Sequence, residues 1–232
     1  MSFNKFDRAL IIAPHADDES IGCGGFMVMF PQKCDVLILT DGARGAYGGY
    51  LELPKDEYVN IRMSETKSAM GSIGVTGVSF LNIPDGKVYC NEKRLIMLDL
   101  SQYDYVFVPN RKESHIDHHV VYRQIFLNKM LHFRRFRIIE YEVWTPMDRP
   151  NMFLDISSCI EKKIELINSY TSQLEDVDYK KRIMGLNQYR GIVDNVEYAE
   201  AYRVNSIVYT VREILSILPE RVKEHIRIII SK

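Results

Sequence analysis

The stretch ALIIAPHADDESIGCGG, residues 9–25, joins a short apolar run to a helix-forming segment through a turn that contains Pro, His and three acids. Its first five residues are all apolar, which is typical of a strand that is buried on both faces of a sheet. A helix predicted over residues 20–30 follows at once. A buried strand that leads directly into a helix is the first half of a parallel β–α–β unit, so this stretch predicts an α/β fold.

The same alternation continues through the first half of the chain. Three more apolar runs predict buried strands: residues 35–39 (DVLIL), 78–83 (VSFLNI) and 105–108 (YVFV). Helical periodicity fills the gaps, over residues 58–71, 92–100 and 119–131. We therefore predict a Rossmann-like, mostly parallel sheet flanked by helices. Because ligands bind beyond the carboxyl ends of the strands in such sheets, we expect the active site there.

The second half of the chain is less regular. We predict strands over residues 138–143, 152–156 and 226–230, and helices over residues 159–170 and 179–189. The sequence shows no internal repeat and no linker rich in Pro or Ser. We therefore expect residues 1–232 to form a single domain, with the core motifs in residues 9–122 and a less regular part in residues 138–232.

Composition excludes several classes of protein. The 30 basic and 31 acidic residues give a formal net charge of −1, which argues against a nucleic-acid partner. The four cysteines lie far apart without a C-x-x-C pair, which argues against a disulfide framework and a Cys-rich zinc site. No targeting signal is evident, and no apolar stretch approaches the ~20 residues of a membrane span. We expect a cytoplasmic location and no stable membrane insertion.

Two clusters of His and acidic residues follow predicted strands. Residues 14–19 (PHADDE) follow the first strand, and residues 115–119 (HIDHH) come after the fourth. Imidazoles and carboxylates suit zinc, and His15 and Asp18 are spaced to converge on one ion at a helix start, with one His of the second cluster as a third ligand. Acids that favour a helix N-terminus would explain the first cluster alone, but not both clusters.

At this point the sequence resembles a known family. The segment 14–19, followed by Gly-Cys-Gly-Gly at 22–25, resembles the opening motif of the LmbE/PIG-L family of zinc-dependent de-N-acetylases. Residues 115–118 are similar to the second motif of that family. Weaker similarities are Thr-Asp-Gly at 40–42, Arg62-x-x-Glu65 and Tyr-Ala-Glu-Ala-Tyr at 198–202. The chain departs from the family at Ala16, where Pro is usual, and at residues 111–113 (RKE), which we expect at the substrate-facing rim.

The resemblance implies one zinc ion per chain and a role for each residue of the two motifs. The implied metal ligands are His15, Asp18 and His118. The implied catalytic residues are Asp17 as general base, His115 as electrophile or general acid, and Asp117, which would orient His115 and stabilise its charge. Glu19 would support the ligands from behind. These roles suit amide hydrolysis, because zinc lowers the pKa of water to about 7 and a neighbouring carboxylate can accept its proton.

Two further residues are candidates for substrate binding. By resemblance, Arg62 would contact a substrate hydroxyl or phosphate, although it could also be a surface residue that pairs with Glu65. Tyr47 lies in a Gly-rich segment, residues 42–54, which could be a mobile lid that stacks on a sugar ring or only a solvated loop. Neither His119 nor His132 is given a chemical role.

We therefore expect a hydrolase that removes the acetyl group from an N-acetyl amino sugar or its conjugate. The alternatives are a metallohydrolase that acts on another amide, and a non-catalytic α/β module that binds a sugar or a nucleotide. No P-loop motif and no G-x-S-x-G motif occurs, which excludes the common NTPase and serine hydrolase patterns. The expected partner is a small molecule, and the sequence is compatible with a homo-oligomer.

Overall fold

The structure, a computed structural model, describes residues 7–174 and 178–204. Seven strands form one sheet in it. They are β1 (Ala9–Ala13), β2 (Cys34–Thr40), β3 (Gly77–Ile83), β4 (Tyr105–Pro109), β5 (Arg137–Tyr141), β6 (Met152–Asp155) and β7 (Ala199–Val204). The strands predicted from the apolar runs are confirmed to within two residues at each end. The strand predicted over residues 226–230 lies outside the described residues.

Six α-helices flank the sheet in the described part of the chain. They are α1 (Asp18–Met29), α2 (Lys55–Ile73), α3 (Glu92–Ile96), α4 (Ile116–Leu131), α5 (Ile160–Asn168) and α6 (Tyr179–Gly191). Each corresponds to a predicted helix, but α3 ends at Ile96 instead of residue 100. Among the described helices, none combines the length and apolarity needed to cross a bilayer.

The strand order in the sheet is β3-β2-β1-β4-β5-β7-β6. Strands β1 to β5 are parallel, whereas β7 pairs antiparallel with both β5 and β6. The chain leaves β1 towards β2 and later returns to the other side of β1 through β4. This reversal opens a crevice between the carboxyl ends of β1 and β4, where ligands bind in open α/β sheets. The mostly parallel α/β fold predicted from the sequence is confirmed.

Side chains of β1 alternate between two apolar cores. Ala9, Ile11 and Ala13 belong to the core that includes residues of α1, α2 and α5, whereas Leu10 and Ile12 belong to the core under α3 and α4. Successive residues of a strand point to opposite faces, so a continuous apolar run is required when helices cover both faces. This packing fixes the direction in which the chain leaves β1, and therefore the position of the turn that follows it.

Candidate active site

The turn between β1 and α1 holds Asp17 in an unusual backbone conformation. Its φ is +118°, a region that residues with a Cβ rarely adopt. The buried carboxylate of Glu19 accepts the backbone N–H of Asp17 at 3.1 Å, and it also accepts the hydroxyls of Ser20 and Tyr170. Glu19 therefore lies behind the turn and stabilises the backbone conformation of Asp17, whose side chain lines the crevice.

Three donor atoms from the two predicted motifs converge in the crevice. Nδ1 of His15 lies 3.1 Å from Nε2 of His118 and 3.3 Å from Oδ2 of Asp18, and the last two atoms are 3.1 Å apart. Tetrahedral zinc with ligands at about 2.0–2.1 Å places its ligand atoms roughly 3.3 Å from one another. The donors therefore fit a single tetrahedral ion with one position open. Oδ1 of Asp18 is buried and has no hydrogen-bond partner among the described residues.

The second ring nitrogen of His15 faces two carboxylates. Nε2 lies 3.3 Å from Oδ1 of Asp85 and 3.5 Å from Oδ2 of Asp117. A metal-binding imidazole commonly donates its other N–H to a carboxylate, which sets the tautomer and the direction of the ring. The surroundings of His15 therefore favour coordination through Nδ1, with the proton on Nε2.

In the described part of the chain, the carboxylate of Asp117 forms no hydrogen bond with the ring of His115. The carboxylate of Asp117 accepts the backbone N–H groups of Gly86 at 2.7 Å and Val88 at 3.0 Å, and its nearest imidazole is that of His15. The expectation that the Asp117 carboxylate orients His115 is therefore wrong, although its charge acts to raise the pKa of His115 against the larger effect of burial. Asp117 is fully buried behind His15 because it lies in the first turn of α4, where the loop after β3 covers it.

His115 is the exposed member of the histidine cluster. It precedes α4, and its Nδ1 accepts the N–H of Asp117 at 3.3 Å. Its ring centroid lies 4.8 Å from that of His15 and 5.0 Å from that of His118. His15, His115 and His118 thus also form a group whose nitrogens lie within 4.8 Å of one another. We favour the set with Asp18, because a carboxylate ligand neutralises part of the charge of the ion.

Arg62 is buried beside Asp17. It is 3% exposed, its guanidinium donates to the carbonyl of Ala16, and Nη2 lies 3.8 Å from Oδ2 of Asp17. The alternative of a surface pair with Glu65 is wrong, because the Glu65 carboxylate instead accepts bonds from Thr171 and Ser172.

Electrostatics distinguish Asp17 from its neighbour Asp18. Burial raises the pKa of Asp17 well above the usual aspartate range, although Arg62 acts in the opposite direction. Burial also disfavours the charged form of Asp18, but the neighbouring His118 and His15 hold its pKa well below that range. Asp18, one of the three converging donors, is therefore strongly ionised. Asp17, next to it, binds a proton more tightly than an ordinary aspartate does.

A cavity of about 290 Å³ opens above these residues. His15, Asp17, Arg62 and His115 line it. Three aromatic side chains also line it: Tyr47 and Trp144, which are exposed, and Tyr179, which is buried. Tyr47 is exposed and lies at the start of a short 3₁₀ helix in the Gly-rich segment.

Residues 111–113 do not line the cavity, contrary to our expectation. Arg111 pairs with Glu140, Lys112 pairs with Asp148, and Glu113 is buried under the loop that carries Trp144. Of the other histidines, His119 is exposed on α4, and Nε2 of His132 lies 3.1 Å from the carbonyl of Ile96.

Asp85 and Trp144 are among the site residues that were not predicted from the sequence. Asp85 follows β3 in a Pro-Asp-Gly turn, a composition that indicates only a turn. Its position after a parallel strand was the available signal. Trp144, the only Trp of the chain, follows β5, and a single aromatic residue after a strand carries no chemical signal of its own.

Comparisons with known proteins agree with this geometry. Over 226 residues the chain is 27% identical to diacetylchitobiose deacetylase of Thermococcus kodakarensis, covering 87% of this chain and 84% of that protein. N,N'-diacetylchitobiose deacetylase from Pyrococcus horikoshii, complexed with an inhibitor, has a TM-score of 0.72 and 24% identity, covering 86% of this chain and 84% of that one.

The fold also occurs in a different class of enzyme. GalB, the 4-carboxy-2-hydroxymuconate hydratase from Pseudomonas putida, has a TM-score of 0.68 at 19% identity, covering 86% of this chain and 96% of that chain. The fold alone therefore does not determine the reaction. The family assignment rests on sequence: residues 10–127, which include both motifs, match the family model described as PIG-L, GlcNAc-PI de-N-acetylase. With both motifs inside the matched segment and their side chains in one crevice, the chain belongs to the PIG-L (LmbE-like) family.

Proposed function

We propose that this chain is a zinc-dependent de-N-acetylase that hydrolyses the acetamide of an N-acetylglucosamine-type sugar or of its conjugate. The observation that carries the proposal is the convergence of His15, Asp18 and His118 to within 3.3 Å of one another, with Asp17 beside them. The two archaeal relatives reported above are named as deacetylases of diacetylchitobiose, and the family itself is named for a de-N-acetylase. One ion per chain matches this donor set.

In this proposal the ion supplies Lewis acidity, which lowers the pKa of a water and polarises the acetyl carbonyl. The carboxylate of Asp17 accepts the proton of the attacking water, a task for which its raised pKa is suited. Glu19 holds Asp17 in place for that transfer. Arg62, next to Asp17, binds a hydroxyl or another polar group of the sugar.

His115 lies on the exposed side of the cluster, where the carbonyl oxygen of a substrate would enter. Burial lowers the pKa of His115, and the like charges of His15 and His118 lower it further. Because Nδ1 of His115 accepts the N–H of Asp117, the neutral ring carries its proton on Nε2, which would donate a hydrogen bond to the developing oxyanion. Asp17, after accepting the proton of the water, would return a proton to the departing amine. Asp117 and Asp85 contribute by orienting His15.

The release of acetate distinguishes the proposed function from two alternative functions. A metallohydrolase for another amide would hold the metal but release no acetate from N-acetyl sugars. A sugar-binding or nucleotide-binding module would release none from any amide, and it has no need of Asp17 beside three ligands. The cytoplasmic location and a homo-oligomeric state remain predictions.

The proposal is tested with Asp17→Asn, which preserves shape but removes the base. The variant and the wild type are compared for zinc content and for acetate release from free, nucleotide-linked and glycoside-linked N-acetyl sugars. We expect equal zinc content and a loss of kcat of about 100-fold or more. Near-normal turnover would show that Asp17 is not the base. The absence of acetate release by zinc-loaded wild type from the whole panel would overturn the proposed function.

A further inference from the structure

The end of α4 places a phenylalanine in a backbone conformation that favours glycine. Phe133 has a φ of +52°, and its N–H donates to the carbonyl of Met130 at 3.4 Å. The N–H of Arg134 donates to the carbonyl of Lys129 at 2.9 Å. These two bonds form a Schellman motif, in which the left-handed position is usually Gly because a Cβ is unfavourable there. The chain therefore carries backbone strain at Phe133.

No burial of the Phe133 side chain compensates for this strain. The side chain is 92% exposed, whereas a large aromatic ring normally stabilises a fold by leaving water. Leu131 is 62% exposed, and Met97, which follows α3, is 70% exposed. The ends of α3 and α4 are adjacent, since Nε2 of His132 lies 3.1 Å from the carbonyl of Ile96. Met97, Leu131 and Phe133 thus form an apolar tip at one corner of the molecule.

A basic cavity of about 510 Å³ opens next to the apolar tip. Its lining includes one exposed aromatic ring and four basic side chains: Phe133, His132, Arg134, Arg135 and Arg137. Arg134 pairs with Asp99 at 3.0 Å. Arg135 and Arg137 are exposed, and no acid within residues 7–174 and 178–204 pairs with either of them. Two guanidinium groups are therefore available to an external anion.

The acids on the lining of the basic cavity are already engaged within the chain. The carboxylate of Asp104 accepts the N–H of Arg8 at 2.9 Å, and Asp7 forms a hydrogen bond with the side chain of Tyr105. Residues 132–137 read HFRRFR, so a chain with a formal net charge of −1 concentrates positive charge at this corner. The corner is therefore complementary to a negatively charged surface.

An anionic bilayer matches this combination better than a protein does. In a symmetric contact between two copies the patch would meet itself, and the unpaired Arg135 and Arg137 of both chains would repel. A protein partner must also fit three separately protruding side chains with a complementary surface. A bilayer interface accepts protruding apolar groups without a fixed shape, and anionic lipids attract arginines near the surface.

We propose that this corner is a docking surface for an anionic phospholipid membrane. The apolar tip enters the boundary between headgroups and acyl chains, and lipid phosphates contact Arg135 and Arg137 in the basic cavity. Such docking is reversible and differs from the insertion of a spanning helix. Helix α4 has 16 residues, so its two ends are about 24 Å apart. The active-site cavity lies at the other end of α4, and the inference does not rest on the proposed function.

Vesicle sedimentation tests the proposal with the full chain and without substrate. Vesicles of phosphatidylcholine alone are compared with vesicles in which about one third of the lipid is phosphatidylglycerol. We expect binding to the anionic vesicles only. Raising NaCl from about 0.1 M to about 0.5 M should weaken this binding roughly tenfold, because salt screens the arginines. No binding to anionic vesicles, or equal binding to both kinds, would overturn the proposal.

Two variants separate the contributions of the apolar tip and of the basic cavity. Phe133→Gly removes the ring and suits the φ of this position, so its midpoint of thermal unfolding should not fall. We expect it to bind anionic vesicles roughly tenfold more weakly than wild type. Arg135→Gln combined with Arg137→Gln should weaken binding by roughly 20-fold, about fivefold for each charge. Unchanged binding in either variant would contradict the proposal.

The matched control is Ile192→Ser combined with Val193→Ser, which removes another exposed apolar pair, after α6. The acidic Asp194 follows this pair directly. We expect the control to bind vesicles as wild type does, and weakening equal to that in Phe133→Gly would indicate unspecific adhesion and overturn the proposal. If wild type bound no vesicles and Phe133→Gly changed the oligomeric state in gel filtration, the corner would be an interface between copies and the proposal would fail.

Discussion

The carboxylate of Glu19 accepts the backbone N–H of Asp17 at 3.1 Å, and so connects a fully buried acid to the strained residue at the start of α1. Glu19 also accepts hydroxyls from Ser20 and from Tyr170, which follows α5. The geometry of the proposed base therefore depends on a contact between the first and the second half of the chain. A short turn alone would not hold Asp17 at a φ of +118°.

Glu19→Ala should lower kcat while the zinc content stays close to one per chain. The substitution removes the acceptor that holds Asp17, whereas the three ligand side chains remain. Residues that orient functional groups in metal sites typically contribute about 10- to 100-fold, and we expect a loss of kcat in this range. Glu19→Gln, which keeps one carbonyl acceptor, should be intermediate. If zinc were lost in parallel with activity, Glu19 would instead be required for metal binding.

His118→Ala should abolish stoichiometric zinc binding, and His119→Ala should not. The two residues are neighbours on α4, but Nε2 of His118 lies 3.1 Å from Oδ2 of Asp18, whereas His119 is exposed. Zinc content is measured by mass spectrometry after dialysis, and activity after chelation and addition of zinc. Equal zinc retention in both variants would contradict the proposed ligand set.

The sequence was sufficient for the strands β1 to β5 and for the convergence of the two motifs. Each of these strands is an apolar run that helices cover on one or both faces, so its hydrophobic pattern is easy to recognise. The two motifs converge because parallel strands bring their carboxyl ends to one edge of the sheet. Strand β7 was missed because it carries Glu200 and Arg203 among its buried residues, which hides both the apolar run and the alternation.

The hydrogen-bond partners of the site residues were less predictable from the sequence than the places of these residues in the fold. Asp117 was expected at His115, its neighbour in sequence, but at the start of α4 the two side chains diverge and Asp117 faces His15. Asp85 joins the site because the loop after β3 passes over the end of β2 towards β1. Such contacts depend on loop paths, which local patterns do not specify.

Gly45→Ala should lower kcat/KM, and Gly49→Ala should not. A Cβ on Gly45 would lie 2.7 Å from Nη1 of Arg62, whereas a Cβ on Gly49 would meet no atom within 4 Å. The end of the Arg62 side chain must therefore shift, and a displacement of about 1 Å can lower the rate up to 100-fold.

Circular dichroism and zinc content should be unchanged in both glycine variants, since neither substitution touches a metal ligand. The effect is measured as kcat/KM for the substrate that wild type hydrolyses best. Full activity of Gly45→Ala would show that the position of Arg62 does not matter for the reaction.

The cysteines should differ in their reactivity towards iodoacetamide. Burial raises the pKa of Cys34 to about 12 and that of Cys159 to about 11, and only the thiolate reacts. Cys90 is exposed and should be labelled first at pH 8. The labelling rate of Cys159 should increase roughly tenfold per pH unit between pH 7 and pH 9, because this range lies below its pKa. Peptide mass spectrometry identifies the sites, and labelling in denaturant is the control.

The buried pair between Lys163 and Glu200 should respond asymmetrically to substitution. Nζ of Lys163 lies 2.8 Å from Oε1 of Glu200, and both side chains are inaccessible to solvent. The Glu200 carboxylate also accepts the N–H groups of Gly25 and Phe26 in α1, at 2.7 and 2.9 Å. In Glu200→Leu the ammonium keeps only the neutral Asn187 acceptor, and two N–H groups of α1 lose their acceptor.

We therefore expect Glu200→Leu to lower the free energy of unfolding by about 3–5 kcal/mol, since it leaves an uncompensated buried charge. Lys163→Met keeps the packing beside Gly24, and the remaining carboxylate still accepts both N–H groups and the hydroxyl of Tyr202. This variant also leaves a buried charge, but one that keeps three hydrogen-bond donors, so its loss should be smaller, about 1–3 kcal/mol. Urea unfolding followed by far-ultraviolet circular dichroism measures both values. If Lys163→Met proved the more destabilising, the carboxylate would not be the group on which α1 depends.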